Sequence, residues 1–233
     1  MAERAQPTAK TRVRRLPKRG HYDRPTVHAV LDAGVICHVG YAIDGQPYVT
    51  PTSYWRAGER LYWHGSSASR MLRHLKQGVP ACVAVTQVDG FVLARSGFHH
   101  SVNYRSVMAF GIAQLVPDTE KAAVLEEFVE RLFPGRWREL RPPTRQELKA
   151  TTVLWMELDE VSAKIRTGPP VDDEEDYALP VWAGVLPLGI RMGTPEPDPR
   201  LGSGMAVPAY FRNVARLLGG ATSEKSQAQR PAA

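Results

Sequence analysis

The residues best equipped for chemistry lie together in Leu61-Tyr62-Trp63-His64-Gly65-Ser66-Ser67-Ala68-Ser69-Arg70. An aromatic strand breaks at Gly65, passes three hydroxyl residues and reaches Arg70. Met71, Leu72 and Leu75 then fall at helical spacing, and Gly78 ends the run. A strand that enters a helix through small residues leaves N–H groups unpaired at the positive end of the helix dipole. Such a bend suits phosphate. Ser66, Ser67 and Ser69 add donors, and Arg70 can hold phosphate oxygens with its planar fork. The same residues equally describe a capped helix start beside a solvated arginine, so taken alone the two readings stand level.

Other chemistries fit less well. No P-loop spacing occurs. Gly65-Ser66-Ser67-Ala68-Ser69 has the context of a nucleophile elbow centred on Ser67, but Ser69 stands where a glycine should close it. His99 and His100 are adjacent, and on a strand they would point to opposite faces and could not chelate one metal together. The acidic run Asp172–Asp176 has no metal-ligand spacing and reads as a solvated turn. Cys37 and Cys82 sit in apolar runs, as buried free thiols do. A phosphorylated cofactor remains. Flavin mononucleotide needs a phosphate cradle, a flat wall and hydrogen bonds to the ring edge. Val49-Thr50-Pro51-Thr52 could line the ring, and Asn103-Tyr104-Arg105-Ser106 could close the far side. No catalytic residue is singled out; His99 and Tyr104 are the candidates for delivering a proton.

These residues need elements to hold them. Asp23 can cap a helix with Pro25 in its first turn, running to Gly34. Val35–Ile43 reads as a strand, Asp44-Gly45 as a hairpin turn, and Gln46–Trp55 as the return strand, interrupted by Pro47 and Pro51. Arg60–His64 and Val79–Val88 are further strands, and Asp89-Gly90 reads as another hairpin. Phe91–Phe98 and Tyr104–Val116 are strand-like. Thr119–Phe133 is an amphipathic helix. Thr144 and Glu147 make a capping-box pattern for a short helix. Thr151–Leu158 is the last clear strand, and Ser162–Asp176 reads as a loop. Pro180–Leu188 is apolar and expected to pack on the barrel or on a second subunit. Tight hairpins with few helices argue for a mainly β protein with added helices, an antiparallel barrel or sandwich, rather than a doubly wound sheet.

At 233 residues with 43% hydrophobic content, the chain suits one domain with tails. No apolar run approaches a membrane span or a secretion signal, so the expected compartment is the cytoplasm. The first 24 residues hold eight basic residues against two acidic ones and account for the whole net charge of +6. This leader is expected to be solvated, or to fold its arginines back over an anionic ligand; no nucleic-acid motif follows it. The expected division is a flexible basic leader over 1–20, with residues 1–11 disordered, a domain over 21–190, and a Gly/Pro-rich extension over 191–233 with a disordered tail from Ser223.

In order, Tyr22-Asp23-Arg24, Cys37-His38-Val39-Gly40, Pro47–Thr52, Leu61–Arg70, Asp89–Ser96 and His99–Val107 resemble the pyridoxamine 5′-phosphate oxidase-like family, and most nearly its flavin-nucleotide-binding branch with nitroimidazole-reductase-like members. The resemblance spans about Tyr22 to Trp182. It implies an antiparallel split β-barrel that binds FMN, a homodimer with flavin at the subunit interface, and an oxidoreductase whose small-molecule substrate is open and whose reductant could be NAD(P)H. It also implies that Val49, Thr50, Pro51 and Thr52 contact the flavin ring. It puts His64, Ser66, Ser67, Ser69 and Arg70 at the phosphate, and Asn103, Tyr104, Arg105 and Ser106 on a strand facing the flavin. Arg70 stands where many members carry lysine. The C-terminal substrate-gripping Arg and His of true pyridoxamine phosphate oxidases have no match. A flavin carrier or sensor without turnover, or a barrel holding deazaflavin or haem, are the alternatives the same fold allows.

Overall fold

The computed structural model describes residues 6–202 and 204–218. The tail expected from Ser223 and residues 1–5 lie outside the described residues. Ten strands form one antiparallel sheet: β1 (Gly20–His21), β2 (Ile36–Ile43), β3 (Gln46–Ala57), β4 (Arg60–Ser66), β5 (Pro80–Leu93), β6 (Ser101–Ile112), β7 (Gln114–Leu115), β8 (Thr151–Glu157), β9 (Glu160–Arg166) and β10 (Gly184–Pro187). Their order is β1-β9-β6-β5-β2-β3-β4-β8-β7, with β10 added to β5. Among the described residues five α-helices accompany them: α1 (Arg24–Asp32), α2 (Arg70–Leu75), α3 (Lys121–Leu132), α4 (Arg145–Ala150) and α5 (Phe211–Leu217). This is the expected α+β split barrel.

Local chemistry explains the parts. Asp23 caps α1 by accepting a 3.0 Å hydrogen bond from the Thr26 amide. Asp44 and Gly45 both take positive φ, at 50° and 80°, the backbone a two-residue hairpin requires. In α4 the Thr144 hydroxyl and the Glu147 carboxylate bond each other's amides reciprocally.

Three expectations are corrected. β4 does not break at Gly65: it continues to Ser66, with Gly65 paired to Thr152 and Ser66 to Thr151. Asp89-Gly90 is no hairpin. β5 runs through it with a bulge between Val88 and Gly90. Arg105 on the neighbouring strand holds the Asp89 carboxylate with two nitrogens at 2.8–3.2 Å, which uses the aspartate across the ladder instead of in a turn. Gly90 is needed for close approach, since a Cβ there would lie 2.9 Å from the Leu186 carbonyl oxygen of β10. Finally, residues 160–166, expected to lie largely in a loop, form β9, a full ladder partner of β6. The apolar residues Val161, Ala163 and Ile165 alternate there, but Lys164 and Arg166 mask the pattern.

Two apolar clusters hold the barrel. The larger fills its interior with Val27, Leu31, Val39, Leu61, Trp63, Leu72, Val83 and Met156 among others. A smaller one lies beneath α3, where Trp55, Tyr62 and Val153 meet Val124, Leu125 and Phe128. Adjacent β4 residues serve different clusters because successive side chains point to opposite faces.

Candidate functional site

The chemistry centres on the place where β3 changes partner. Its residues Gln46–Ser53 pair with β2, and Tyr54–Ala57 pair with β4. Before Tyr54 the two strands part. The edge of β3 facing away from β2 carries no ladder partner over that stretch. The bend after β4 lies beside it, and α2 bridges the opening. Met71, Leu72 and Leu75 anchor α2 in the core. The Arg70 guanidinium sits 4.3 Å from the centre of the Tyr48 ring on β3, and Tyr48 stacks on Tyr41 with centroids 5.5 Å apart. His74 Nε2 donates to the Ala42 carbonyl oxygen at 2.7 Å, which ties the far end of α2 to β2. Arg70 is thus held beside the free edge of β3 and remains exposed.

The bend does not cradle an anion through its own amides as expected. The Ser67 amide donates to Ala150 O, the Ser69 amide to Ser66 O, and the Ala68 amide to Ser66 Oγ. What stays open is different. Ser69 is the N-cap residue of α2 yet makes no capping bond, so its hydroxyl and the first-turn N–H groups have room for an acceptor. At six residues, α2 contributes little dipole. The positive charge here is mainly that of Arg70. The donor set of hydroxyls, first-turn amides and one guanidinium fits a phosphate monoester or diester.

The ring-lining stretch divides between faces. Thr50 and Thr52 pair with the buried Val39 and Cys37 and share the face of Tyr48 and Arg70. Val49 and Pro51 point to the outer face, where Val49 is largely exposed. His64 is not at the opening by its side chain. Its ring packs 4.8 Å from Phe128 and 5.8 Å from Trp55, beneath α3. Nδ1 there is buried without a partner, and burial lowers the imidazole pKa.

The β6 candidates are mostly committed elsewhere. Asn103 is buried; its amide donates to Gly168 O at 3.1 Å and its Oδ1 accepts from Arg166. Arg105 is consumed by Asp89, which raises its pKa. The Ser106 hydroxyl donates to Lys164 O at 3.2 Å. Tyr104 is half-buried. Within one chain β2 and β5 stand between β3 and β6, so the structure does not bring residues 103–106 beside residues 49–52. Cys37 and Cys82 are free, Cys37 wholly buried and Cys82 partly so, and burial pushes the Cys37 thiol up to about 12.

Sequence reasoning missed two parts. The leader is folded over its described length. The Lys10 ammonium bonds Glu160 at 2.6 Å, and the Val13 amide donates to the Tyr22 hydroxyl at 2.8 Å. Asp172, expected in a solvated turn, has a fully buried carboxylate that accepts from the Arg95 amide at 2.9 Å and guanidinium at 3.0 Å. Each depends on a partner distant in sequence, Glu160 for Lys10 and Arg95 for Asp172.

Comparison with known proteins gives a consistent answer. No curated protein matches the chain. Among solved structures, the flavocytochrome Anf3 from Azotobacter vinelandii is 45% identical, with 90% of this chain and 98% of that one covered and a TM-score of 0.85. The FAD and heme binding protein from Mycobacterium smegmatis is 38% identical, with 84% and 97% covered and a TM-score of 0.81. A family model described as pyridoxamine 5′-phosphate oxidase matches residues 23–165, the stretch that builds α1, the strand parting and the β5–β6–β9 ladder. With that match laid over a split antiparallel barrel, the chain belongs to the pyridoxamine 5′-phosphate oxidase-like, flavin-binding family.

Proposed function

We propose that the protein is a redox flavoprotein that also carries haem, passing electrons between the two groups. The flavin half rests on one observation: β3 leaves β4 beside an exposed arginine, opening an unpaired strand edge next to a cationic, hydroxyl-rich bend. The names of the two relatives above 30% identity support the haem half, and favour FAD over the FMN that the sequence suggests.

A bound flavin supplies hydride or single-electron acceptance, and haem single-electron chemistry. The chain's own residues bind and orient. Arg70 and the hydroxyls of Ser67 and Ser69 neutralise and hold the phosphate arm. The free N–H and C=O groups of residues 46–53 face the ring edge, and Thr50 and Thr52 add hydroxyls on the same face as Arg70. A second copy of the chain supplies the missing wall, with Tyr104 from β6, so the working unit is a homodimer. NADH or NADPH is the expected electron source.

The test begins with the purified protein. Heat should release a yellow compound whose fluorescence rises when phosphodiesterase cuts FAD to FMN, and the protein should show a Soret band when given haemin. Colourless protein that takes up neither FAD nor FMN in a fluorescence titration would refute the flavin half. A flavin whose fluorescence does not change on that treatment would be FMN.

A further inference from the structure

Apart from the flavin opening, the leader, the end of β9 and the turn ahead of β6 border a cleft of about 550 Å³. That lies within the roughly 300–1,000 Å³ of small-molecule sites. Arg15, Arg19, Lys164 and Arg166 all line it. Elsewhere arginines find acids: Arg56 meets Asp32, Arg105 meets Asp89 and Arg141 meets Glu147. Among the described residues none of the four cleft cations has a carboxylate partner. Asp172 is held by Arg95, and the Asp173 side chain is 81% exposed, 3.4 Å from His99.

Two features show that these charges are gathered on purpose. Arg166 is 7% exposed, and its guanidinium meets only neutral acceptors: Asn103 Oδ1, Gly168 O at 3.3 Å and Pro169 O at 3.4 Å. Loss of water and the nearby Arg19 charge both hold its pKa below the ordinary value. A buried cation without a counter-charge is costly and favours an incoming anion. Leu16 has φ 56° and ψ 62°, the left-handed region that a residue with a Cβ seldom adopts. This turn brings Arg15 and Arg19, on either side of it, to one cleft, and such backbone is concentrated at ligand clamps.

The neutral lining narrows the class of anion. Phe98 is wholly exposed at the cleft, with Val171 also exposed there. A bare aromatic ring beside clustered cations matches a nucleotide, whose phosphates meet the charges while its base stacks on the ring. A smaller cavity of about 210 Å³ shares Arg15 and Lys164 and adds Arg12 and Arg14. Positive charge thus continues past the cleft, with room for more than one phosphate.

We infer that this cleft binds a nucleotide bearing at least two phosphate groups. Arg15, Arg19 and Lys164 grip the phosphates, Arg166 adds charge from the wall, and Phe98 carries the base. A free nucleoside diphosphate and the adenosine end of NADPH share that chemistry. Tyr104, which the proposed function sets against the flavin, is the cross-strand neighbour of Arg166, which favours NADPH. That preference rests on the flavin reading; the nucleotide site itself does not.

The test is calorimetric titration of the full-length protein at low salt with ADP, 2′,5′-ADP, inorganic pyrophosphate and adenosine. Both phosphorylated nucleosides should bind at least about tenfold more tightly than adenosine, and Arg19→Ala and Lys164→Ala should each weaken them about tenfold. Phe98→Ala should weaken the nucleotides and leave pyrophosphate unchanged. These three side chains are at least partly exposed, and unchanged thermal melts would show that the variants fold. NADPH binding more tightly than both NADH and ADP identifies the coenzyme as the source; ADP binding as tightly as NADPH identifies a free nucleotide. No binding of ADP or 2′,5′-ADP, or binding indifferent to Arg19→Ala and Lys164→Ala, would overturn the inference. So would pyrophosphate matching ADP in wild type and in Phe98→Ala, because the base would then go unread. Loss of co-purified FAD in Arg19→Ala or Lys164→Ala overturns it as well, by giving the cleft to the flavin's own diphosphate. Protein that takes up no flavin yet passes these titrations would remove the proposed function and leave the nucleotide site standing.

Discussion

In the proposed flavin opening the decisive side chain is Arg70, because α2 is too short to contribute much field of its own. Arg70→Ala should therefore weaken FAD or FMN by about ten- to a hundredfold, roughly 1.5–3 kcal/mol for one charge-assisted contact. Riboflavin, which has no phosphate, should bind as before; equilibrium fluorescence titrations with the three ligands make the comparison. His64 gives a different kind of test. Burial holds its imidazole below the ordinary value near 6.5, so the folded protein keeps it neutral. Below pH 6.5 the unfolded chain takes up a proton that the folded chain resists. Stability should thus fall as pH drops from 6.5 towards the folded value. Urea melts at pH 7.5 and 5.5 should show that loss, and His64→Phe should shrink it. Cys37, its thiol pushed up to about 12 and wholly buried, should react with thiol reagents only after unfolding. At this scale the sequence shows residue types but not their directions. The period-two alternation that divides His64 from Trp63, and Val49 from Thr50, is visible in the letters. Which face is the core is not, until the neighbouring strands are known.

Among the elements, α3 is fastened by more than its apolar stripe. The half-buried Arg131 donates to Tyr54 O, Leu31 O, Asp32 O and Gly34 O at 2.7–3.3 Å, closing the C-terminal end of α1 against β3. Loss of water lowers its pKa. Arg131→Ala should cost about 1.5–3 kcal/mol, since carbonyls that lose a charged donor are left buried. Chemical denaturation would show this, and Arg131→Lys should recover only part, because one ammonium cannot span four acceptors. The elements with local signals were legible: the Asp23 cap, the Asp44-Gly45 turn, and the capping box in which Arg141 and Thr144 together hold the Glu147 carboxyl at about 2. Where a distant partner overrode the local signal, the reading failed. Asp89-Gly90 has the letters of a turn, but its aspartate serves Arg105 and its glycine admits β10.

For the whole molecule, the distance between β3 and β6 in sheet order is the main consequence of the fold. If two copies together wall one flavin, variants damaged in different halves should rescue each other. Co-expressed Arg70→Ala and Tyr104→Ala chains should yield mixed dimers with one sound site of two. Flavin content in those isolated dimers should approach half of wild type, while each homodimer stays nearly empty. Failure to exceed either parent would mean that each chain builds its site alone. The split-barrel class and most of the strands along the chain were readable, because hairpins and family motifs are local; the order of the strands in the sheet was not. The folded leader was not, since Lys10 declares itself only against Glu160 of β9 and the Val13 amide only against the Tyr22 hydroxyl.

The C-terminal strand β10 has a further effect. It occupies the side of β5 at residues 90–93 that β6 leaves bare, with Gly184 opposite Leu93 and Pro187 opposite Gly90. A chain ending before Gly184 would present that row of amides and carbonyls, beside Phe91, as a template for any extended peptide in solution. Such a truncation should therefore cause aggregation by edge-to-edge growth even though the barrel's interior is untouched, and the proline that closes β10 would be the stop that prevents that growth in the intact chain.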